Sequence, residues 1–267
     1  MVSRGVKSLL KRALTPEGLR VLRHLRNSDG IRRLERLVKG EPALGQAARI
    51  DFLSRTTPIS GRYGADRGTA IDRRFIEDFV DCHRAGITGT VLEVENGNYT
   101  RAFGSDVRES IVIGISPGEH ITLITDLVDL KEIESETVDC VILTQTLQFV
   151  YDLQAAATSV HRILKPGGHL IMTVPAIQPL GPDAWPHYWS FTPASARRIV
   201  ADAFPGAAIT VRSYGNVLTG MAFLHGLSLE ELDPERVDRH DPRYPIVIGV
   251  HAVKPPAQGR IHPAASA

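Results

Sequence analysis

Cysteine is scarce: the 267 residues hold two, Cys82 and Cys140. That is too few for a disulfide framework or a four-cysteine zinc site, and it points to a reducing, cytoplasmic setting. Long apolar runs are missing as well. None approaches the roughly 20 residues that cross a bilayer, so an integral membrane protein is excluded. Met1 to Leu14 is basic, but Lys11 and Arg12 interrupt its short apolar stretch, so no secretory signal is expected. Charge of one sign is also lacking: 31 Lys and Arg against 30 Asp and Glu leave a net +1, which gives no indication of a nucleic-acid partner. Aromatic residues make up only 6% and no internal repeat or low-complexity tract is visible. What remains, 43% hydrophobic and 23% charged residues, is ordinary globular composition. It suits one large domain, alone or with a small extension.

The charge is unevenly placed. Residues 1–40 carry eleven basic and three acidic residues, a net +8, which leaves −7 for the rest. Val6, Leu9 and Leu10, then Leu19, Leu22 and Leu25, then Ile31, Leu34 and Val38 recur at helical spacing, with breaks near Thr15-Pro16 and Asn27–Gly30. Two or three short amphipathic helices are expected. Three uses compete for them: packing on the main domain or in a homodimer through residues 1–60, peripheral contact with an anionic membrane through residues 1–40, or contact with a polyanion. We expect residues 1–60 to form a basic helical extension, 61–254 the main domain, and 255–267 a frayed tail.

From about residue 70 helix and strand alternate. Ile71, Phe75, Ile76, Phe79 and Val80 form a helix face, opened by Thr69 with Asp72 at capping-box spacing. Short branched runs at 90–94, 110–113, 121–124 and 138–143 read as buried strands. A helix from Asp152 to Leu164 stops at Lys165-Pro166-Gly167-Gly168, and the strand His169–Pro175 follows. After a loop over 176–191 come a helix from Thr192-Pro193 to Phe204, a strand at 208–213, a helix near 218–232 and a last strand at 246–253. This order indicates an α/β fold with a doubly wound, mostly parallel sheet.

Two stretches carry a family resemblance. Val138–Pro175, with its helix ending in Leu164-Lys165-Pro166-Gly167-Gly168 before a further strand, resembles the second half of a class I S-adenosylmethionine-dependent methyltransferase. Val91–Thr100 lies where that family keeps its glycine-rich first motif, and Asp126-Leu127 where an adenine-contacting acid follows the third strand. The resemblance covers about residues 70–254. It implies a seven-stranded sheet, S-adenosylmethionine as cofactor and S-adenosylhomocysteine as product. Tyr63–Arg73 and Tyr188–Thr192 are similar to a bacterial branch associated with glycosyltransfer and with polysaccharide or natural-product tailoring. The glycine motif departs from the family: Glu95-Asn96-Gly97-Asn98-Tyr99 keeps only its middle glycine. In the second strand Ile111 falls where an acid is expected, and Glu109 is the nearest substitute.

The resemblance implies cofactor contacts from Glu93, Glu95, Asn96, Gly97, Tyr99, Glu109, Asp126, Leu127 and Thr144. Glu95 either repels the cofactor carboxylate, turns outward or binds the ammonium. Arg67 with Gly68 either meets the cofactor carboxylate or an acidic acceptor, or Arg67 pairs with Asp72. The implied reaction is in-line methyl transfer to an oxygen of a saccharide, glycoside or related secondary metabolite, a small-molecule acceptor. His187 is the candidate base, or else a lid histidine bonded to a neighbour. Gln145 and Gln148 orient an acceptor or satisfy loop backbone, and Tyr151, Asp183, Trp185, Tyr188 and Trp189 are the expected acceptor contacts. Tyr99 and Tyr151 stack on adenine, line the cleft or simply pack. His161 is expected to face solvent. Asp183, His187, His240 and Asp241 have no metal-ligand spacing, so no metal is expected. Two rivals remain open: the fold repurposed for cyclisation or rearrangement, and a non-catalytic domain whose basic arm binds a membrane or partner.

Overall fold

Seven segments pair into one sheet, buried on both faces along its central strands and part-exposed towards its edges. In chain order they are β1 (Gly89–Val94), β2 (Val107–Gly114), β3 (Leu123–Ile124), β4 (Val138–Thr144), β5 (Leu164–Pro175), β6 (Ala208–Tyr214) and β7 (Val247–Val253). The computed structural model describes residues 55–180 and 186–256, and the chain divides after Thr57. The fold below is that of the second part. The expected amphipathic helices of residues 1–40 and the tail from residue 257 lie outside the described residues.

The strand order is β3-β2-β1-β4-β5-β7-β6, with β7 antiparallel to both its neighbours and the other pairings parallel. The chain therefore winds outward from β1 through β2 to β3, then crosses back to β4. The crevice over β1 and β4 is the topological switch point, where sheets of this kind bind ligands. Six helices flank the sheet among the described residues: α1 (Ile71–Cys82), α2 (Asn98–Phe103), α3 (Leu153–Ile163), α4 (Pro193–Ala203), α5 (Val217–Leu224) and α6 (Pro234–Val237). Leu92, Val141, Leu143, Val160, Ile163, Leu170, Val174 and Val250 are fully or almost fully buried in one core cluster.

Local chemistry explains most boundaries. The Asp152 carboxylate accepts the Ala155 N–H at 2.9 Å and starts α3, and Thr192 with Ser195 forms the capping box that starts α4. Four expectations change. The capping box at Thr69 does not form: α1 begins after Ala70, and Thr69 instead donates to Glu230 through both its N–H (2.8 Å) and its hydroxyl (2.9 Å). The strand expected at 121–124 shrinks to two residues, because Ile121 packs over Gly114. β5 starts at Leu164, so the Lys165–Gly168 turn lies within the strand's span, tied to the last strand by Gly167 N–H to Lys254 O at 2.8 Å. The helix expected to run to 232 stops at Leu224, since Gly226 takes φ +68° with Ser60 O against its α-carbon.

Candidate functional site

A cavity of about 860 Å³ opens at the carboxyl ends of β1, β2 and β4, within the size range of small-molecule sites. Its floor is the turn after β1. There the Glu93 carboxylate, 2% exposed, accepts the N–H groups of Tyr99 (3.1 Å) and Thr100 (2.9 Å) and the Thr100 hydroxyl (2.8 Å). One buried acid thus caps α2, and burial raises its pKa despite those bonds. Asn96 Oδ1 takes the Asn98 N–H at 3.2 Å, so the first turn of α2 has its donors filled from within the chain.

Glu95 occupies the left-handed region, φ +67°, at a position glycine would adopt without strain. Its N–H donates to Ile113 O at 2.8 Å, which seats it beside the end of β2, and its side chain is exposed at the cavity wall. Gln145, at the end of β4, is also left-handed at φ +50°, and its Nε2 is buried without a hydrogen-bond partner among the described residues. Gln148 is 2% exposed. Its Nε2 donates to Gln145 O at 2.8 Å, while its Oε1 has no partner among the described residues.

Glu93, Glu95, Asn96, Tyr99, Asp126, Leu127, Thr144, Gln145, Tyr151 and Tyr188 all line this cavity. Tyr99 is buried and stacked on Phe103 at 6.3 Å, with its hydroxyl accepting from Arg73 Nη1 at 2.6 Å. Asp126 is exposed, and one of its oxygens takes the Val128 N–H at 2.9 Å. Gly97 is buried below the floor, and Trp189 sits behind the mouth with its indole N–H on Val150 O at 2.9 Å.

Several expected contacts are not at the wall. Glu109 pairs with Thr90 in the exposed amino half of β2, far from that strand's carboxyl end. Ile111 is likewise mid-strand, opposite Leu92. The strand ends at Gly114, and Ile115, 58% exposed, follows it into the cavity, so no acid stands at the end of β2. Arg67 pairs with Glu231 (3.1 Å) and Asp66 (3.2 Å), not with Asp72. A side chain at Gly68 would collide with Glu230, so both residues fasten the 226–231 segment and leave the cavity alone. His187 stands behind the wall: its Nδ1 contacts Gln178 Nε2 at 2.5 Å and its ring meets Phe149 edge-on at 4.5 Å, and it is Phe149 that faces the cavity. His161 is half-buried edge-on against Phe204 at 4.9 Å, where solvent had been expected. Asp183 and Trp185 lie outside the described residues.

No group of metal-binding side chains occurs among the described residues. His240 packs against Phe75 and Tyr214, and Asp241 is held by Arg243 at 2.7 Å, which lowers its pKa to about 2.

Residues that the sequence reading did not place here come from α1 and the segment before it: Arg62, Tyr63, Asp72 and Arg73. Their signal was faint, because Asp72 carried a helix-capping spacing that a distant residue, Glu230, displaced. With them the wall holds five carboxylates (Asp72, Glu93, Glu95, Asp126, Asp152) against two guanidinium groups (Arg62, Arg73). An acid-lined crevice favours a cation. Val94, Ile115, Leu127 and Val128 offer an apolar slot beside Asp126, whose free oxygen suits an amino group on a flat ring. A sulfonium nucleoside such as S-adenosylmethionine fits a wall of this charge and shape.

Residues 88–172 match the family model described as Methyltransferase domain. No curated protein matches the chain. Among solved structures the chain is similar to a SAM-dependent methyltransferase from Archaeoglobus fulgidus, at 15% identity and TM-score 0.48, covering 68% of this chain and 94% of that one. It is also similar to a methyltransferase of the same description from Mesorhizobium loti, at 16% identity and TM-score 0.44, covering 69% and 98%. A third similar structure is the [4+2]-cyclase SpnF, at 16% identity and TM-score 0.48, covering 86% and 97%. The match to a methyltransferase domain spans residues 88–172, and the strand order with its reversed β7 and the acid-lined crevice at the switch point fit an S-adenosylmethionine-dependent methyltransferase.

Proposed function

We propose that the acceptor is a saccharide, glycoside or related secondary metabolite and that the methyl group goes to one of its oxygens. The aromatic mouth of the cavity carries this reading. Tyr151, 73% exposed, and Tyr188, 46% exposed, both line it with rings 5.3 Å apart, edge to face. Trp189 lies 6.2 Å from Tyr151, held by its bond to Val150. Aromatic faces left in water at a cavity rim suit the C–H faces of a sugar ring. Just inside, the unpartnered Gln145 amide supplies a donor for a hydroxyl oxygen. The cofactor supplies an electrophilic methyl group on a sulfonium, and these residues would hold an acceptor oxygen in line with it.

Incubation with S-adenosylmethionine and a panel of glycosides, read by mass spectrometry, tests the proposal. The expected product carries one added methyl on oxygen. Replacing both Tyr151 and Tyr188 by Ala should raise the acceptor KM about tenfold or more while leaving S-adenosylhomocysteine affinity within about twofold. Methylation of phenols or amines with no glycoside turned over would overturn the substrate class.

A further inference from the structure

The cavity wall has five carboxylates, and their surroundings separate them. Glu93 is consumed by three bonds to α2. Asp152 caps α3. Asp126 lies on the β3 side with the apolar slot, and Glu95 is exposed to water, which screens it. Asp72 differs from all four. It is half-buried in the first turn of α1, and the bond its carboxylate accepts within the described residues comes from the Arg73 N–H at 2.9 Å. The arginine next to it is bonded elsewhere, though its charge still reaches Asp72: Arg73 gives one Nη to the Tyr99 hydroxyl at 2.6 Å and its Nε lies 3.9 Å from Glu77. Arg74 pairs with Asp78 at 2.9 Å.

The Arg73–Tyr99 bond ties this turn of α1 to the start of α2, directly over the end of β1. One side of the crevice, at β2 and β3, holds the apolar slot and Asp126. The other, after β4, holds Gln145, Tyr151 and Tyr188. A sulfonium bound across the switch point would lie between those halves, where Asp72 lines the wall beside Tyr99. We propose that Asp72 is the carboxylate facing the sulfonium, and that it is the group that accepts the proton released as the methyl group leaves. This rests on the O-methylation reading for the source of the proton, while the placement of Asp72 does not.

The balance closes without another reactant. The C–S bond breaks with its electron pair going to sulfur, a C–O bond forms, and the acceptor's hydroxyl proton passes to Asp72. The carboxylate is ionised while a positive charge lies beside it. When that charge is lost on conversion to the thioether, its proton affinity rises at the step that releases a proton. Burial already raises the Asp72 pKa in the protein alone, with the Arg73 N–H and charge opposing. The other groups facing it across the cavity are Arg62, Tyr63, Tyr99, Glu93, Glu95, Asp126 and Asp152. Around α1, His240 meets Phe75 edge-on at 5.3 Å, α2 carries Arg101, and His169 and His251 gather with His83 at the opposite end of the helix. α5 carries no charged residue.

The test needs no acceptor. Calorimetric titrations of the full chain, in two buffers of different ionisation enthalpy from about pH 5 to about pH 7, compare two ligands. Sinefungin carries an ammonium near the sulfonium position, and S-adenosylhomocysteine is a neutral thioether there. Sinefungin should release protons from the wild type, and S-adenosylhomocysteine should release clearly fewer. In Asp72→Asn that difference should vanish, and the preference for sinefungin should fall about tenfold with S-adenosylhomocysteine affinity within about twofold. Asp72→Ser is the second variant if Asn perturbs folding, and the wild-type difference stands independently of either. Equal proton release for the two ligands, an unchanged preference in both variants, or equal loss of both ligands would overturn the proposal. A glycoside panel that gives no methylated product, beside an intact ligand difference, would remove the oxygen acceptor as proton source and leave the position of Asp72 standing.

Discussion

At the amino-terminal ends of the strands Asp139 accepts the Thr90 N–H at 2.8 Å, Lys165 Nζ at 2.8 Å and Arg108 Nη2 at 3.1 Å. Close by, Lys254 Nζ donates to Leu164 O, His161 O and Glu136 at 2.7, 3.0 and 3.2 Å. At the carboxyl-terminal ends, among the described residues, Gln145 and Gln148 leave amide atoms unpaired, and Asp72 accepts the Arg73 N–H with no ion pair as close as those of Asp139. One end of the sheet satisfies its polar groups internally. The other keeps donors and charge available for a ligand, as binding sites commonly do at a cost in stability.

The same contrast is written in the titrations. Burial pushes the Asp139 pKa up, but Lys165, the Thr90 N–H and Arg108 outweigh it and hold the group below its ordinary value. Asp72 is shifted the other way, by burial with too little compensation.

The largest expected effect is at Glu93, the one buried acid of the cavity end that is fully bonded. Glu93→Ala should cost about 3 kcal/mol or more by denaturant titration, because it strands the N–H groups of Tyr99 and Thr100. It should also abolish S-adenosylhomocysteine binding by unseating α2. A loss under about 1 kcal/mol would mean the cap is not what holds the floor.

Acid should expose a third region. His83, His169 and His251 gather at the far end of α1, where the His169 and His251 ring nitrogens lie 2.9 Å apart and the His83 and His251 rings stack at 4.1 Å. Burial, then the charges of His83 and His169, lower the His251 pKa to about 4. Its folded pKa is below the unfolded value, so the native state binds the proton more weakly. That contribution is fully present above about pH 6.5 and is lost as pH falls toward 4. The loss should be at most about 3 kcal/mol, and less after solvent screening of a half-buried group. His251→Gln should flatten the stability profile in that window.

Asp72 gives the opposite slope. Its raised pKa means the folded state holds the proton more tightly, so stability declines as pH rises past the ordinary aspartate value of about 3.9 through the raised one. Asp72→Asn should therefore melt at or above the wild type at neutral pH. Asp139→Asn should melt below it without touching ligand affinity. If both variants shift stability the same way, the contrast between the two ends of the sheet is wrong.

The smallest effect is Glu95→Gly, which relieves a left-handed glutamate and should stabilise by up to about 1 kcal/mol in thermal melts.

Most of the sheet was legible because branched apolar runs such as Val138–Leu143 carry their strand signal locally. α3 was legible for the same reason, with Asp152 adjacent to the helix it caps. α2 was not. Asn98–Phe103 has no amphipathic stripe, and its cap arrives from Glu93 on the preceding strand. The start of β2 was missed because its first half, Arg108–Ser110, is exposed, and the site acid was sought at Ile111 and Glu109, in mid-strand and short of the carboxyl end at Gly114. Arg67 and Gly68 were tied to the cofactor, but the groups that claim them, Glu231 and Glu230, lie about 160 residues away in sequence. Periodicity finds elements; which long-range partner takes a polar group is settled only by the assembled fold.

Isothermal titration with S-adenosylhomocysteine, on the wild type and on Asp126→Ala, tests most directly whether the polar carboxyl end of this sheet is built to hold the cofactor. The account predicts micromolar binding to the wild type and about tenfold or greater weakening in the variant, with both proteins folded. Absence of binding at millimolar ligand by a folded wild type, or equal affinity in the two, would contradict it.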